Sequence, residues 1–322
     1  MSTPQLGRVG IWSMELRFGD KTESAEAAAE LDELGFGALW IPGGIDDAVL
    51  GDVDRLLSVT QQATIATGII NIWKHQPVDV ADWFNNLPEN KQNRVMLGLG
   101  VSHGPLIGDA WEKPIAATTT FLDGLDNADM SPDNTCLAAL GPKMLELAGN
   151  RTKGAHPYLV TPEHTARARE IMGPDKLLMP EQGVILESDP DKAREFARQA
   201  LTHYAQLPNY RNNWLRLGIT QNDIDGRIIF AVIINVICDG RDGGDKVIAG
   251  EVRVSCKDVG FRAIAGVGQL IGQDGSAAAN RDRAAVLRCD GHIQKLVHQH
   301  GDGIGLYRFG TASARGVCCG GR

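Results

Sequence analysis

The sequence predicts an α/β fold, a barrel of eight β/α units, from three observations. Apolar runs alternate with helical stretches seven times before residue 226. The apolar runs are continuous, which is typical of parallel strands that are buried on both faces. No G-x-G-x-x-G turn follows the first strand. The barrel is therefore favoured over the open, doubly wound sheet that the same alternation allows.

The strands and helices follow from local composition. Apolar and β-branched runs predict strands at residues 8–13, 36–42, 63–73, 94–101, 136–140, 156–160 and 177–186. Helix formers, capping residues and prolines at first helical positions predict the helices between them. These helices cover residues 24–34, 53–62, 78–87, 115–125, a stretch from Pro142, residues 162–172 and a long stretch from Pro190.

Composition excludes several classes of protein. The net charge of −8 over 322 residues argues against nucleic acid or an anionic membrane as the main partner. No apolar run is long enough to predict a transmembrane helix, and the first residues show no secretory signal pattern. Six cysteines are too few for a disulfide framework in a chain of this length. The sequence therefore predicts a cytoplasmic protein.

The chain changes character near Gly226. Residues 227–322 hold 13 basic and 9 acidic side chains, five of the six cysteines, no proline and no tryptophan. We therefore predict two segments: a barrel domain at 1–226 and an atypical segment at 227–322 in which the last β/α units are disrupted. One hypothesis is that this segment is out of frame with its ancestral gene. A barrel without its eighth strand exposes two sheet edges, and residues 228–237 could fill the gap.

One turn in the barrel region indicates an anion site. Gly141, Pro142 and Lys143 join the fifth predicted strand to a helix. The free amides of a helix's first turn, with a lysine beside them, can bind a phosphate. The alternative is that Gly-Pro serves only to end the strand and start the helix. The turn itself does not distinguish the two.

Five segments resemble the luciferase-like monooxygenase superfamily of flavin and deazaflavin enzymes, and most closely its subgroup dependent on coenzyme F420. They are ATGIINIW (66–73), MLGLGVSHGP (96–105), LAALGPKMLELAG (137–149), GAHPYLVTPEHTARAREIMG (154–173) and LPNYRNNWLRLGIT (207–220). The resemblance covers residues 6 to about 226 and implies a TIM barrel of the bacterial luciferase-like type. It also implies a homodimer.

The resemblance also implies a cofactor site. Thr67, Gly68 and Ile69 would back the cofactor ring, with a non-prolyl cis peptide within residues 66–70. Gly98, Gly100 and Val101 would contact the ring and the ribityl chain. Gly141, Pro142 and Lys143 would contact the ribityl-phosphate side, with Thr161 opposite. We expect no metal, because the Cys318–Cys319 pair has no second pair of ligands at a suitable spacing.

The implied activity is hydride transfer between coenzyme F420 and a small organic substrate. The alternatives are an FMN-dependent monooxygenase on the same barrel and a non-catalytic barrel relic. Hydride transfer to a carbonyl needs a proton as well, so a general acid is expected. The candidates are His75, His103 and Glu181; Glu15 is a further carboxylate. For each histidine the alternative is a hydrogen-bonded loop residue, and for Glu181 it is a structural salt bridge.

Overall fold

Seven parallel strands form the body of the protein. The computed structural model describes residues 3–44, 46–186, 190–226, 234–237, 269–272, 294–299 and 306–311. Strands β1 to β7 are parallel, and each pairs with the next along the chain. They are β1 (Val9–Trp12), β2 (Ala38–Ile41), β3 (Thr64–Asn71), β4 (Val95–Gly100), β5 (Thr135–Leu137), β6 (Gly154–Ala155) and β7 (Leu177–Leu178). With helices between the strands, this order fits an α/β barrel of the TIM type.

Helices follow the strands, as predicted. They are α1 (Glu15–Phe18), α2 (Lys21–Glu33), α3 (Val49–Val59), α4 (Pro77–Asn85), α5 (Glu89–Gln92), α6 (Gly104–Ile107), α7 (Pro114–Asn127), α8 (Pro142–Arg151), α9 (Pro162–Met172), α10 (Pro190–Tyr204), α11 (Pro208–Arg216) and α12 (Gln221–Asp225). Proline stands in the first turn of α4, α7, α8, α9 and α11. That position needs no amide donor, so the prolines mark where these helices begin.

Strand β2 shows why the strands are apolar on both faces. All four of its residues are buried. Ala38 and Trp40 pack in one cluster with Met96 and other residues of the neighbouring strands. Leu39 and Ile41 pack in the larger cluster, which includes the inner faces of the helices. Since successive side chains of a strand point to opposite faces, one face of the sheet is turned to the interior and the other to the helices.

The sixth and seventh strands differ from the prediction. Strand β6 ends at Ala155, whereas residues 156–160 were expected to form it; within that segment Tyr158 forms a single bridge with Glu181. Pro157 cannot donate to a ladder, which ends the regular pairing. The predicted strand 177–186 is divided into β7 and β8 (Glu181–Leu186) by Met179 and Pro180. Pro180 has no amide hydrogen, so the ladder breaks there too.

The remaining described strands come from the atypical segment. Strand β10 (Gln269–Gly272) lies between β1 and β8 and is antiparallel to both. Strand β9 (Ile234–Ile237) pairs in parallel with β8. Of the segment 228–237, which could fill the gap of the missing eighth strand, residues 234–237 form a strand on one edge of β8, while β10 lies between β8 and β1. Residues 228–233 lie outside the described residues. Strands β11 (Gln294–Gln299) and β12 (Leu306–Thr311) form a separate antiparallel pair.

Among the described residues, no helix is both long enough and apolar enough to cross a membrane.

Candidate functional site

Residues 67–70, at the carboxyl end of β3, form an irregular step that we call the strand-three bulge. The register between β3 and β4 shifts between Thr67 and Ile70. The peptide bond between Gly68 and Ile69 is cis, so the expected non-prolyl cis peptide is present. Thr67 is fully buried, and its hydroxyl donates to the Gly98 carbonyl at 3.0 Å. The bulge is thus held to β4 at the edge of the sheet where barrel enzymes carry their chemistry.

Gly98 and Gly100 on β4 make room for the bulge. A Cβ atom at Gly98 would lie 2.1 Å from the Thr67 carbonyl oxygen, and one at Gly100 would lie 2.9 Å from the side chain of Ile69. Both distances are far shorter than van der Waals contact. The observed neighbours of these two glycines are therefore bulge atoms. Val101, the next candidate, accepts a hydrogen bond from the indole of Trp73 at 2.7 Å.

Glu181 pairs with a buried histidine. Its carboxylate oxygen Oε2 lies 3.0 Å from His156 Nε2, and both side chains are buried, at 5% and 3% exposure. The other ring nitrogen, Nδ1, lies 3.0 Å from the Met179 carbonyl oxygen. Since that carbonyl can only accept, Nδ1 carries a hydrogen, and Nε2 and Glu181 share a single proton. Burial raises the pKa of Glu181, and its hydrogen bond to His156 acts in the opposite direction.

This pair adjoins the strand-three bulge. Trp40 stacks on the imidazole of His156, with ring centroids 4.4 Å apart. The indole of Trp12 donates to the Gly68 carbonyl at 3.2 Å. A Cβ atom at Gly68 would lie 2.7 Å from Trp12 Nε1 and 2.9 Å from His156 Nε2. We call Trp12, Trp40, Gly68, His156 and Glu181 the interior cluster; it places a proton-holding pair against the bulge.

Three tyrosines lie beside the interior cluster. The chain has four tyrosines, and the rings of Tyr158, Tyr204 and Tyr210 meet edge to face with centroids 5.1–6.1 Å apart. Burial raises the pKa of Tyr204 to about 12, and the nearby Glu181 carboxylate adds to this rise. The hydroxyl of Tyr204 therefore stays protonated across the neutral range.

The two candidate histidines lie in different surroundings. The imidazole of His103 lies with its ring centroid 5.7 Å from that of Tyr210. His75 lies near Asp46 and Asp47, in the loop after β2. Burial lowers the pKa of both imidazoles, so both are neutral at neutral pH. The structure thus brings His103 to the tyrosines beside Glu181 and holds His75 at the strand-two loop.

The loop after β2 is anchored by a buried arginine. Arg17 is 3% exposed and donates to the Pro42 carbonyl at 2.6 Å. It also forms ion pairs with Asp46 and, at 3.1 Å, with Asp52. Asp46, in the loop after β2, thus takes part in this network. Arg17 joins α1, the strand-two loop and α3, so that this side of the site is fixed. Glu15, at the start of α1, has its pKa raised chiefly by burial.

The predicted anion turn is open and carries an extra positive charge. Gly141 is the N-cap of α8, with Pro142 at the first helical position and Lys143 exposed next to it. A Cβ atom at Gly141 would meet only Arg216 Nη2, at 3.6 Å. Arg216 ends α11, and its guanidinium also donates to Asn213 at 3.3 Å. The first turn of α8 and the Arg216 guanidinium therefore lie close together, and Lys143 is exposed on that same turn.

Thr161 lies on the neighbouring turn. It caps α9 by accepting a hydrogen bond from the His164 amide at 3.3 Å. His164 in turn contacts the Leu140 carbonyl through Nε2, at 2.8 Å. The turns that contain Gly141 and Thr161 are therefore held side by side. The Thr161 hydroxyl already serves the helix cap.

The residues present fit the anionic end of a flavin-type cofactor. A phosphate needs positive charge and free backbone donors with no side chain in the way, and the Gly141 turn supplies both. The turn is continuous with the bulge: a Cβ atom at Gly100 would lie 3.2 Å from the Ala138 side chain, three residues before Gly141. Within the described part of the chain, no group of three or more histidine, cysteine or carboxylate side chains is arranged to hold a metal.

Sequence reasoning missed three of these residues. His156 lies within a quoted motif, but it stood in a predicted strand whose pairing with residue 181 was unknown. Arg216 also lies in a quoted motif, 75 positions after Gly141, and only the fold brings the two together. Arg17 was the hardest to identify from the sequence, because a basic residue near a short helix gives no indication of a buried ion pair. In each case the partner is distant in sequence.

The structure is similar to several solved structures. An F420-dependent secondary alcohol dehydrogenase, in complex with an F420-acetone adduct, shares 15% identity at a TM-score of 0.47, covering 68% of this chain and 88% of that one. The coenzyme F420-dependent tetrahydromethanopterin reductase from Methanopyrus kandleri shares 14% identity at a TM-score of 0.45, and the match covers 73% of this chain and 94% of that one. The oxygenating constituent of 3,6-diketocamphane monooxygenase from Pseudomonas putida, in complex with FMN, shares 11% identity at a TM-score of 0.45, and the match covers 68% of this chain and 79% of that one. No protein-family model matches the sequence, and no curated protein matches it.

Proposed function

We propose that this chain is an oxidoreductase that transfers a hydride between coenzyme F420 and a small organic substrate. The observation that carries the proposal is the buried His156–Glu181 pair, which lies against the strand-three bulge at the carboxyl ends of the strands. When bound, a deazaflavin supplies the hydride chemistry. The protein has to hold the substrate, exclude water and handle one proton.

Glu181 is the proton donor in this proposal. Reduction of a carbonyl needs a proton on oxygen for each hydride added to carbon. Because burial favours the neutral carboxyl and His156 shares its proton, the pair can give up one proton without moving a second charge into the barrel. His156 is held in orientation by the Met179 carbonyl and by Trp40. His103 is the second candidate for this role, and His75 the third.

The cofactor's binding residues divide into two groups. Thr67, Gly68 and Ile69 would form the wall for the ring, with Val101 beyond them. Gly98 and Gly100 would act through the bulge that they accommodate. The anionic end would lie at the first turn of α8, where Gly141 has no side chain to block the backbone amides. Lys143 and Arg216 would supply positive charge there. Thr161 would flank this end.

Cofactor titration tests the proposal. The purified chain is titrated with F420 and, separately, with FMN, and binding is followed by quenching of cofactor fluorescence. We expect F420 to bind, and expect Lys143→Ala or Arg216→Ala to weaken binding about tenfold, since a hydrogen bond to a charged group contributes about 1.5–3 kcal/mol. Lys153→Ala is the matched control, because Lys153 pairs with Asp133 at the other end of β6.

Three results would contradict the proposal in different ways. Binding of FMN together with oxygen uptake would favour the monooxygenase. Binding of neither cofactor, together with loss of a cooperative unfolding transition, would favour a non-catalytic relic. If F420 binds but Glu181→Gln reduces small carbonyl compounds as fast as the unaltered chain does, the proton donor is another residue.

A further inference from the structure

Resting on the function proposed above, we propose that His164 is a positioning residue of the anion site at the first turn of α8. It fixes the peptide between Leu140 and Gly141 so that the Gly141 amide is available to the phosphate of the cofactor. His164 does not itself bind the phosphate. It acts through one hydrogen bond to the turn that does.

The first turn of α8 has few donors to offer an anion. Pro142 has no amide hydrogen, and the Met144 amide already donates to the Gly141 carbonyl at 3.1 Å. The amides of Gly141 and Lys143 remain for a ligand. A peptide next to glycine also rotates more easily than others, because glycine has the widest choice of backbone angles. The direction of the Gly141 amide therefore has to be fixed by a contact from outside the turn.

His164 supplies that contact from α9. Its Nε2 lies 2.8 Å from the Leu140 carbonyl oxygen, and the side chain is buried, at 3% exposure. Since a carbonyl can only accept, Nε2 carries the hydrogen and donates it. The C=O and N–H groups of a trans peptide point in opposite directions. With the Leu140 carbonyl held on His164, the Gly141 N–H points away from α9, and the peptide cannot turn over without breaking the bond.

The surroundings of Gly141 suit an anion. A Cβ atom there would meet only Arg216 Nη2, at 3.6 Å. The guanidinium of Arg216 donates to Asn213 Oδ1 at 3.3 Å, and Asn213 is 2% exposed. Within the described part of the chain, Asn213 Nδ2 is buried without an acceptor. A buried donor without a partner is costly, and a phosphate oxygen beside Arg216 would satisfy it.

Helix α9 also holds the arginine side of the site. The Arg167 guanidinium donates to the Arg216 carbonyl at 3.1 Å, which joins α9 to the end of α11. One helix thus contacts both the peptide and the arginine that would face the phosphate. Neither His164 nor Arg167 needs to touch the ligand for this, so the effect of His164 should depend on whether the ligand carries a phosphate.

A pair of cofactors tests the inference in the full chain. F420 is compared with the same deazaflavin and ribityl chain without the phosphate, and dissociation constants are measured by fluorescence quenching. His164→Leu should weaken F420 binding about tenfold, because the Gly141 amide is then free to turn away, and should leave the phosphate-free compound unchanged. His164→Gln, whose amide nitrogen can donate to the Leu140 carbonyl, should recover most of the lost affinity.

Thr165→Val is the matched control. The Thr165 side chain is 7% exposed and donates to the Thr161 carbonyl at 3.3 Å, so this variant loses a buried hydrogen bond on the same turn of α9. It should bind both compounds as the unaltered chain does. Equal weakening of both compounds in His164→Leu, or the same loss in Thr165→Val, would overturn the inference in favour of a packing effect. Unchanged F420 binding in His164→Leu, or no recovery in His164→Gln, would overturn it too.

A second measurement decides if His164→Leu fails to fold. The unaltered chain, made with isotope-labelled glycine, is titrated with inorganic phosphate, and the Gly141 amide resonance is assigned by its loss in Gly141→Ala. This resonance should move downfield as the amide donates to the anion, and a resonance that stays in place would overturn the inference.

The two proposals can fail separately. A phosphate-dependent shift of the Gly141 amide in a chain that does not bind F420 removes the proposed function and leaves the inference about His164 standing. F420 binding that His164→Leu leaves unchanged removes the role of His164 alone.

Discussion

Burying the Glu181 carboxyl costs free energy, and this cost is offset by one neighbour, His156. Isolated, an ionised carboxylate in the barrel would be strongly destabilising. The shared proton with His156 removes that cost, because the pair is neutral overall whichever partner holds the proton. The same sharing lets the pair release a proton to a ligand. The structural and the chemical interpretations of Glu181 are therefore compatible.

The pH dependence of stability should reveal this carboxyl. Its pKa is raised in the folded chain, so folding favours the protonated form. The stabilisation is fully present below the unfolded pKa of about 4.3 and is lost as pH rises through the folded pKa. Glu181→Gln cannot ionise. In urea titrations from pH 4.5 upward, the free energy of unfolding of the unaltered chain should fall relative to that of Glu181→Gln. A difference that stays constant with pH would contradict the raised pKa.

At the same scale, the sequence predicted one half of the pair. Glu181 was identified because a carboxylate in an apolar strand needs a partner. His156 was not, because its position against residue 181 depends on the register of two strands that are 25 residues apart. Gly98 and Gly100 were expected to contact the cofactor, but the atoms nearest to them belong to the strand-three bulge. A glycine motif shows that space is needed, but not that the neighbouring strand β3 fills that space.

At the scale of elements, helices were predicted more closely than strands. The predicted helix 162–172 coincides with α9, since Thr161 and Pro162 mark its start chemically. Strands β6 and β7 are short because Pro157 and Pro180 interrupt them, whereas an apolar run by itself has no end signal. The bulge in β3 also escaped local pattern reasoning, and only the family resemblance indicated it.

Replacing glycine by alanine at two positions should change the free energy of unfolding in opposite directions. Gly98→Ala should destabilise the chain by about 2–3 kcal/mol, because the new methyl group overlaps the Thr67 carbonyl, a backbone atom that cannot rotate away. Gly51→Ala, within α3 and with nothing within 4 Å of the new atom, should stabilise it by about 0.5–1 kcal/mol. Denaturant unfolding of both variants measures this. A neutral Gly98→Ala would show that the bulge can shift.

At the scale of the whole molecule, the seven parallel strands leave the edge of β1 free, and β8 follows them in the chain with an edge of its own. The structure pairs both with β10, in the opposite direction to the other strands. The sequence predicted seven β/α units, and the seven parallel strands agree with that number; the break near Gly226 stays a prediction. It could not predict β10, because four residues in a glycine-rich segment carry no recognisable pattern and the pairing is decided by which edges remain free.

Removing residues 227–322 should therefore expose the edge of β1. We expect the truncated chain to self-associate and to lose cooperative unfolding, because unpaired strand edges template association. Light scattering and thermal unfolding of the two chains, at matched concentration, measure this. A monomeric truncated chain with an unchanged midpoint would show that the sheet does not need β10, and that residues 1–226 fold as a unit.

The stacking of Trp40 on His156 gives the site an optical property. A protonated imidazole quenches an indole at contact distance much more strongly than a neutral one does, so the emission of Trp40 depends on which partner of the pair holds the proton. All six tryptophans precede residue 227. The tryptophan fluorescence of this chain thus comes entirely from residues 1–226, and one of its emitters, Trp40, lies in contact with the proton-holding pair.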